Sequence, residues 1–179
     1  MLIIIGMLLS LAASAKLKST FAVYRSRRSA SGLTGAEAAR RILNAAGITD
    51  VQIVPVSGSL TDHYDPRSKT VRLSEDIYGQ TSLAAVGVAA HECGHAIQHH
   101  IDYAPLSIRS ALVPVANFGS TLSWPLFFAG LIFSIQPLLT LGIVLFSFAV
   151  LFQLVTLPVE FNASSRASYA GKHRDFKQR

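Results

Sequence analysis

Charge is scarce in this 179-residue sequence, and cysteine is nearly absent. Asp, Glu, Lys and Arg make up 15% of it, against about 25% in an ordinary soluble domain, so the groups that normally face water are in short supply. Between Arg109 and Glu160 there is no charged residue at all. The single Cys93 excludes an internal disulfide framework and any zinc knuckle built from several cysteines. No internal repeat and no low-complexity tract interrupts the chain, whose length gives room for one ordinary domain.

What charge there is has a pattern. The net +6 comes from clusters at Lys16–Arg28 and Arg166–Arg179, each directly after an apolar stretch. Basic flanks on apolar spans are what the positive-inside rule expects of a membrane protein. Most phenylalanines lie inside the apolar runs, not among the basic residues, which argues against a base-stacking surface and hence against nucleic acid as a partner.

Leu2–Ala15 is apolar and uncharged, and as a helix it would reach roughly 21 Å, short of a ~30 Å hydrocarbon core. Ala13-Ser14-Ala15 has the small residues of a signal cleavage site. However, no basic residue precedes the run and five follow it by Arg28, which favours an uncleaved anchor. Val113–Ile135 and Leu138–Leu157 are each long enough to span a bilayer, and Gln136-Pro137 between them is too short to leave a domain outside. They predict a helical hairpin with both ends on one side. All sixteen Lys and Arg lie before or after it, which places the basic segments in the cytoplasm and the N-terminus outside.

The stretch between anchor and hairpin reads as soluble. Thr34 followed by Glu37 predicts a capping box opening a helix over Gly35–Ala46 that stops at Gly47. Val51–Val56 and Thr70–Leu73 predict strands, Ser57–Lys69 turns, and Val71–Leu73 an edge for an extended peptide. Ser82–His100 predicts one alanine-rich helix, after which Pro105 and Pro114 punctuate the chain. The fold class is therefore an α+β membrane protein, mostly α. Residues 1–18 form an anchor, 19–112 a soluble zincin-like part with a small cytosolic sheet, 113–157 the hairpin and 158–179 a third-ligand helix with a basic tail.

The chemistry sits on the Ser82–His100 helix. His91-Glu92-Cys93-Gly94-His95 places two imidazoles four residues apart on one helix face, the spacing that lets both reach one zinc ion. Catalytic zinc takes three protein ligands and a water, and Glu92 stands where it can take that water's proton and pass it to a leaving amine. His99 is eight residues beyond His91, about 12 Å along a straight helix, too far to share the ion. The metzincin spacing would need a histidine at Ile101. Glu160 is the better third ligand, because a hairpin that returns to its starting side carries it back toward the helix. Cys93 points to another face and reads as a small buried filler.

Ser164, one turn beyond Glu160, could support the ligands, with Asp62, Asp65 and Asp102 as weaker candidates. Arg166, Arg109, His63, Tyr64 and Tyr103 are candidate donors to a developing oxyanion.

Three segments carry a family resemblance: Leu60-Thr61-Asp62-His63-Tyr64-Asp65-Pro66, Val88–Gln98 around the histidines, and Thr156-Leu157-Pro158-Val159-Glu160-Phe161-Asn162-Ala163-Ser164. Together they resemble the YugP-like neutral zinc metallopeptidases of bacteria, which implies a multi-pass membrane protein with Zn2+ and a peptidase activity. The order of HExxH, membrane hairpin and Glu-Phe-x-Ala also resembles the HtpX-like and CAAX prenyl proteases. Those are gluzincins, in which the glutamate of the second motif is the third zinc ligand, a role that falls on Glu160. An aspartate usually stands there where this chain has Ser164. Family members also continue to a further apolar segment, whereas this sequence ends in Lys172–Arg179, as expected of a shortened member.

The expected function is hydrolysis of peptide bonds in membrane-associated proteins or peptides, with the lipid bilayer as the other partner and the catalytic part facing the cytoplasm. A zinc-binding membrane scaffold without protease activity is the alternative. A transporter is disfavoured because the spans carry no charge to line an ion path.

Overall fold

The computed structural model describes residues 2–175; Met1 and residues 176–179, the end of the expected basic tail, lie outside the described residues. The protein is mostly helical, with one small sheet. In order come α1 (Leu2–Arg25), α2 (Gly35–Ala45), β1 (Gln52–Val56), β2 (His63–Asp65), β3 (Thr70–Ser74), α3 (Glu75–Tyr78), α4 (Leu83–His100), α5 (Ala104–Ile132) and α6 (Gln136–Asp175). Two compact units make up the chain: Met1–Ile97 with Arg166–Arg179, and Gln98–Ser165.

Within the first unit, α1 is longer than the apolar run suggests. No glycine or proline separates Gly6 from Gly32, so the helix continues through Lys16 and Lys18 to Arg25. Its last residue pairs with Asp76 at 2.6 Å. The chain is then stitched to the start of α4, with Ser29 N–H donating to Thr81 O and Leu83 N–H to Arg27 O. α2 opens on the expected capping box: Thr34 Oγ1 accepts from Glu37 N–H at 3.2 Å, and Thr34 N–H donates to the Glu37 carboxylate at 2.8 Å.

The sheet has three strands in the order β1-β3-β2, β3 being parallel to β1 and antiparallel to β2. β3 is therefore central and offers no free edge, contrary to the edge expected at Val71–Leu73. The third strand, β2, comes from the segment expected to hold only turns. Its Asp65 still makes a turn, its carboxylate accepting from Arg67 N–H and the Ser68 hydroxyl. Val71 and Leu73 are fully buried with Leu43, Ile48 and Ile77. Against them α4 lays Ala85, Ala89, Cys93 and Ala96, a face small enough for its backbone to come close. Cys93 donates from Sγ to Ala39 O at 3.6 Å, and burial pushes its thiol up to about 12. It is the buried filler the sequence suggests.

The second unit contains the helical hairpin. The turn spans residues 133–135, with Ser134 at φ +56° and Ile135 N–H donating to Gly130 O at 2.9 Å. Gln136 already belongs to α6, so the connection precedes the Gln136-Pro137 pair. The two helices touch at glycines. A Cβ on Gly142 would lie 2.9 Å from Phe127 N, and one on Gly130 would lie 2.6 Å from Leu139 N. Pro105 sits in the first turn of α5, where its missing N–H costs nothing. Pro114 does not end an element; it lies inside α5 with Pro125, as Pro158 lies inside α6. Proline in a helix interior bends it and leaves a carbonyl open, and this is better tolerated in membrane helices.

Three helices are long and apolar enough to cross a bilayer: Ile4–Arg25, Ala104–Ile132 and Gln136–Ala167. At 1.5 Å per residue the shortest, at 22 residues, extends about 33 Å. Phe118, Trp124, Phe133 and Phe148 in the hairpin are all exposed.

Candidate active site

α4 has two working faces. The small-residue face enters the core, and the other carries His91, His95 and Gln98, spaced four and three residues apart. The two imidazoles meet edge to face with centroids 4.8 Å apart, and both are half-buried. Neither is sealed in the core.

Glu92 lies between these faces and is buried. Burial pushes its carboxyl above the usual carboxylate range; His95 and His91 pull it down, Asp62 pushes it up, and a hydrogen bond from the Tyr64 backbone N–H pulls it down again. A carboxyl held in that way has its pKa moved toward the range a general base needs. Asp62 is fixed in turn, accepting from Ser74 N–H at 2.7 Å and the Ser74 hydroxyl at 3.1 Å. Asp62 thereby anchors the chain just before β2.

Glu160 stands on α6, partly exposed, with Arg109 Nη2 3.9 Å from its Oε1. Among the described residues, His91, His95 and Glu160 are a group that could hold a metal ion, with one ligand atom from each and all of these within 4.8 Å of one another. The donor set fits zinc, which takes imidazole nitrogen and carboxylate oxygen at about 2.0–2.2 Å. A tetrahedral ion at those bond lengths would separate its ligand atoms by roughly 3.4 Å, an adjustment well within side-chain reach.

Over residues 1–177 the sequence matches the family described as "Putative neutral zinc metallopeptidase". It is also 53% identical over 159 residues to the "Putative membrane protease YugP" of Bacillus subtilis (strain 168), covering 89% of this chain and 71% of that protein. The chain belongs to this family. No solved structure matches it.

In this neutral zinc metallopeptidase family member, the other residues singled out by sequence separate into groups. Tyr64 touches Glu92 through its backbone, while burial, with the charges of Asp50 and Asp65, pushes its phenol up to about 12. Arg109 faces Glu160. The exposed ring of His63 is engaged with Thr61 O at 2.8 Å, within its own loop. Asp65 is occupied by the turn after β2, and Asp102 lies exposed in the α4–α5 turn at φ +51°. Ser164 is exposed and Arg166 half-buried, both on α6 beyond Glu160.

Gln98 and its partner Asn162 were given no role by the sequence. Gln98 is fully buried, and its amide donates to Val159 O at 2.8 Å and to Asn162 Oδ1 at 3.0 Å. The signal that could have found Gln98 is its spacing, a polar residue three beyond His95 on the same helix face.

Proposed function

We propose that this chain is a membrane-embedded zinc endopeptidase of the gluzincin type, cutting peptide bonds in membrane-associated proteins or peptides. The observation that carries this reading is the convergence of two imidazoles and one carboxylate within 4.8 Å, next to a buried glutamate.

His91, His95 and Glu160 would hold the metal, and zinc, when bound, supplies Lewis acidity toward water and the scissile carbonyl. Glu92 takes the proton of the attacking water on its carboxylate and delivers it to the leaving amine nitrogen. The Tyr64 N–H keeps that carboxylate in place through both transfers. Arg109 is the cation this reading assigns to the developing oxyanion. Its Nε is buried with no hydrogen-bond partner among the described residues, so it has a donor to offer.

The bilayer is the second partner: three apolar helices and their basic flanks support a multi-pass protein with its catalytic part in the cytoplasm. Nucleic acid has no place in this reading.

The test is zinc content and peptide cleavage measured on the same samples of wild type, Glu160→Ala and Glu92→Gln. The expected result is near-stoichiometric zinc in the wild type, weakened binding in Glu160→Ala, and retained zinc with cleavage lowered about 10²–10⁴-fold in Glu92→Gln. Zinc without cleavage of any membrane-protein or peptide substrate would favour the scaffold instead. Absence of zinc from the folded wild type would overturn the reading.

A further inference from the structure

A carboxamide taken fully out of water loses free energy unless its donors and acceptor are satisfied, so a buried glutamine has to be explained by its partners. For Gln98 those partners lie on α6. Its Nε2 carries two hydrogens and uses them on Val159 O and Asn162 Oδ1. A backbone carbonyl can only accept, so the amide has one allowed orientation, and Asn162 must turn its oxygen toward Gln98. The two acceptors bracket Glu160, one residue before it and two after. The backbone carbonyl of Gln98 meanwhile accepts from Tyr103 N–H at 2.9 Å, the residue that caps α5. Arg109, which faces Glu160, follows on that helix.

We infer that Gln98 is a positioning residue for the third metal ligand, fixing the height and rotation of the α6 turn that carries Glu160. Apolar packing alone would not do this. A carboxylate lies about 6 Å from its helix axis, so a 20° rotation moves it by about 2 Å, whereas a metal site tolerates only ~0.2 Å in its bond lengths. Two directional hydrogen bonds on either side of Glu160 remove that freedom. Pro158 makes the constraint more necessary, because its missing N–H weakens the helix ladder just before Glu160.

This inference rests on Glu160 being a ligand, and a double-mutant cycle separates the two claims. Zinc affinity is measured by chelator competition on the full chain in detergent, for wild type, Gln98→Leu, Glu160→Ala and the double variant, with fold checked by circular dichroism. Gln98→Leu is expected to weaken zinc about 10–100-fold, and to weaken it no further once Glu160 is gone. Gln98→Met, which keeps the length but cannot donate, is expected to match Gln98→Leu. If Gln98→Leu does not fold, Asn162→Ala removes one acceptor and enters the same cycle, with a several-fold loss that vanishes in the Glu160→Ala background. Unchanged zinc affinity in the folded variants, or an equal loss with and without Glu160, would overturn the positioning role. Wild-type affinity in Glu160→Ala alone would instead overturn Glu160 as a ligand, and the positioning role with it.

Discussion

Two parts of this chain both depend on apolar residues and treat them in opposite ways. Around the sheet, Leu43, Val71, Leu73 and Ile77 are sealed from the surface, and α4 contributes alanines so that the packing can be close. Along α5 and α6 the aromatic and aliphatic side chains point outward, Ile132 at 73% exposure and Phe118 at 67%, while glycines and Ser123 form the contact between the helices. The first arrangement is driven by water. The second places small residues inside and large ones outside, as helices do where lipid is the solvent and close backbone approach holds them together.

The largest effect that would test this contrast comes from one truncation made in both places. Leu73→Ala should cost about 2–5 kcal/mol, because it leaves a cavity beneath α4. Phe133→Ala should stay within about 0.5 kcal/mol in lipid or detergent. Denaturant unfolding in micelles measures both, and comparable losses would break the distinction.

The next largest effect sharpens the hairpin side. Gly142→Val places a branched side chain where even a Cβ would lie 2.9 Å from Phe127 N. It should cost about 1–3 kcal/mol and splay the helices, read as faster proteolysis at the turn. The same change at Gly6, which has nothing within 4 Å, should do neither.

The smallest effect lies on the water-facing side. Thr34→Ala should remove about 1 kcal/mol from the first unit by undoing the α2 cap. The Glu37 carboxyl is held below its ordinary range, first by the Thr34 backbone N–H and then by its hydroxyl. A depressed carboxyl stabilises the folded form above its unfolded pKa and loses that contribution as pH falls through its folded value. Acid titration of stability should therefore flatten slightly in Thr34→Ala, and an unchanged profile would count against the box.

How legible all this was in the sequence depended on the range of the interactions involved. The Thr34–Glu37 box is local, since both its bonds form within one helical turn. The charge-free interval after Arg109 revealed the hairpin for a similar reason, because solvent preference is written in every residue. β2 was hidden because its three residues, His63-Tyr64-Asp65, have no apolar alternation and gain their strand only by pairing with Thr70–Arg72. α1 outran its apolar stretch because lysine is a good helix former and nothing after it breaks the helix. Pro114 looked like punctuation because proline ends helices in water. Gln98 was the least visible of all: its meaning lies in Val159 and Asn162, more than sixty residues away.

The short turn at residues 133–135 has a consequence for how such a protein comes into being. The two histidines leave the ribosome before the hairpin and Glu160 leaves after it, so a three-ligand centre cannot exist until both spans have been made. With no charged residue between Arg109 and Glu160, nothing in that interval needs a costly passage through lipid. Under the proposed reading, the metal site would be complete only once the second helix of the hairpin has been made.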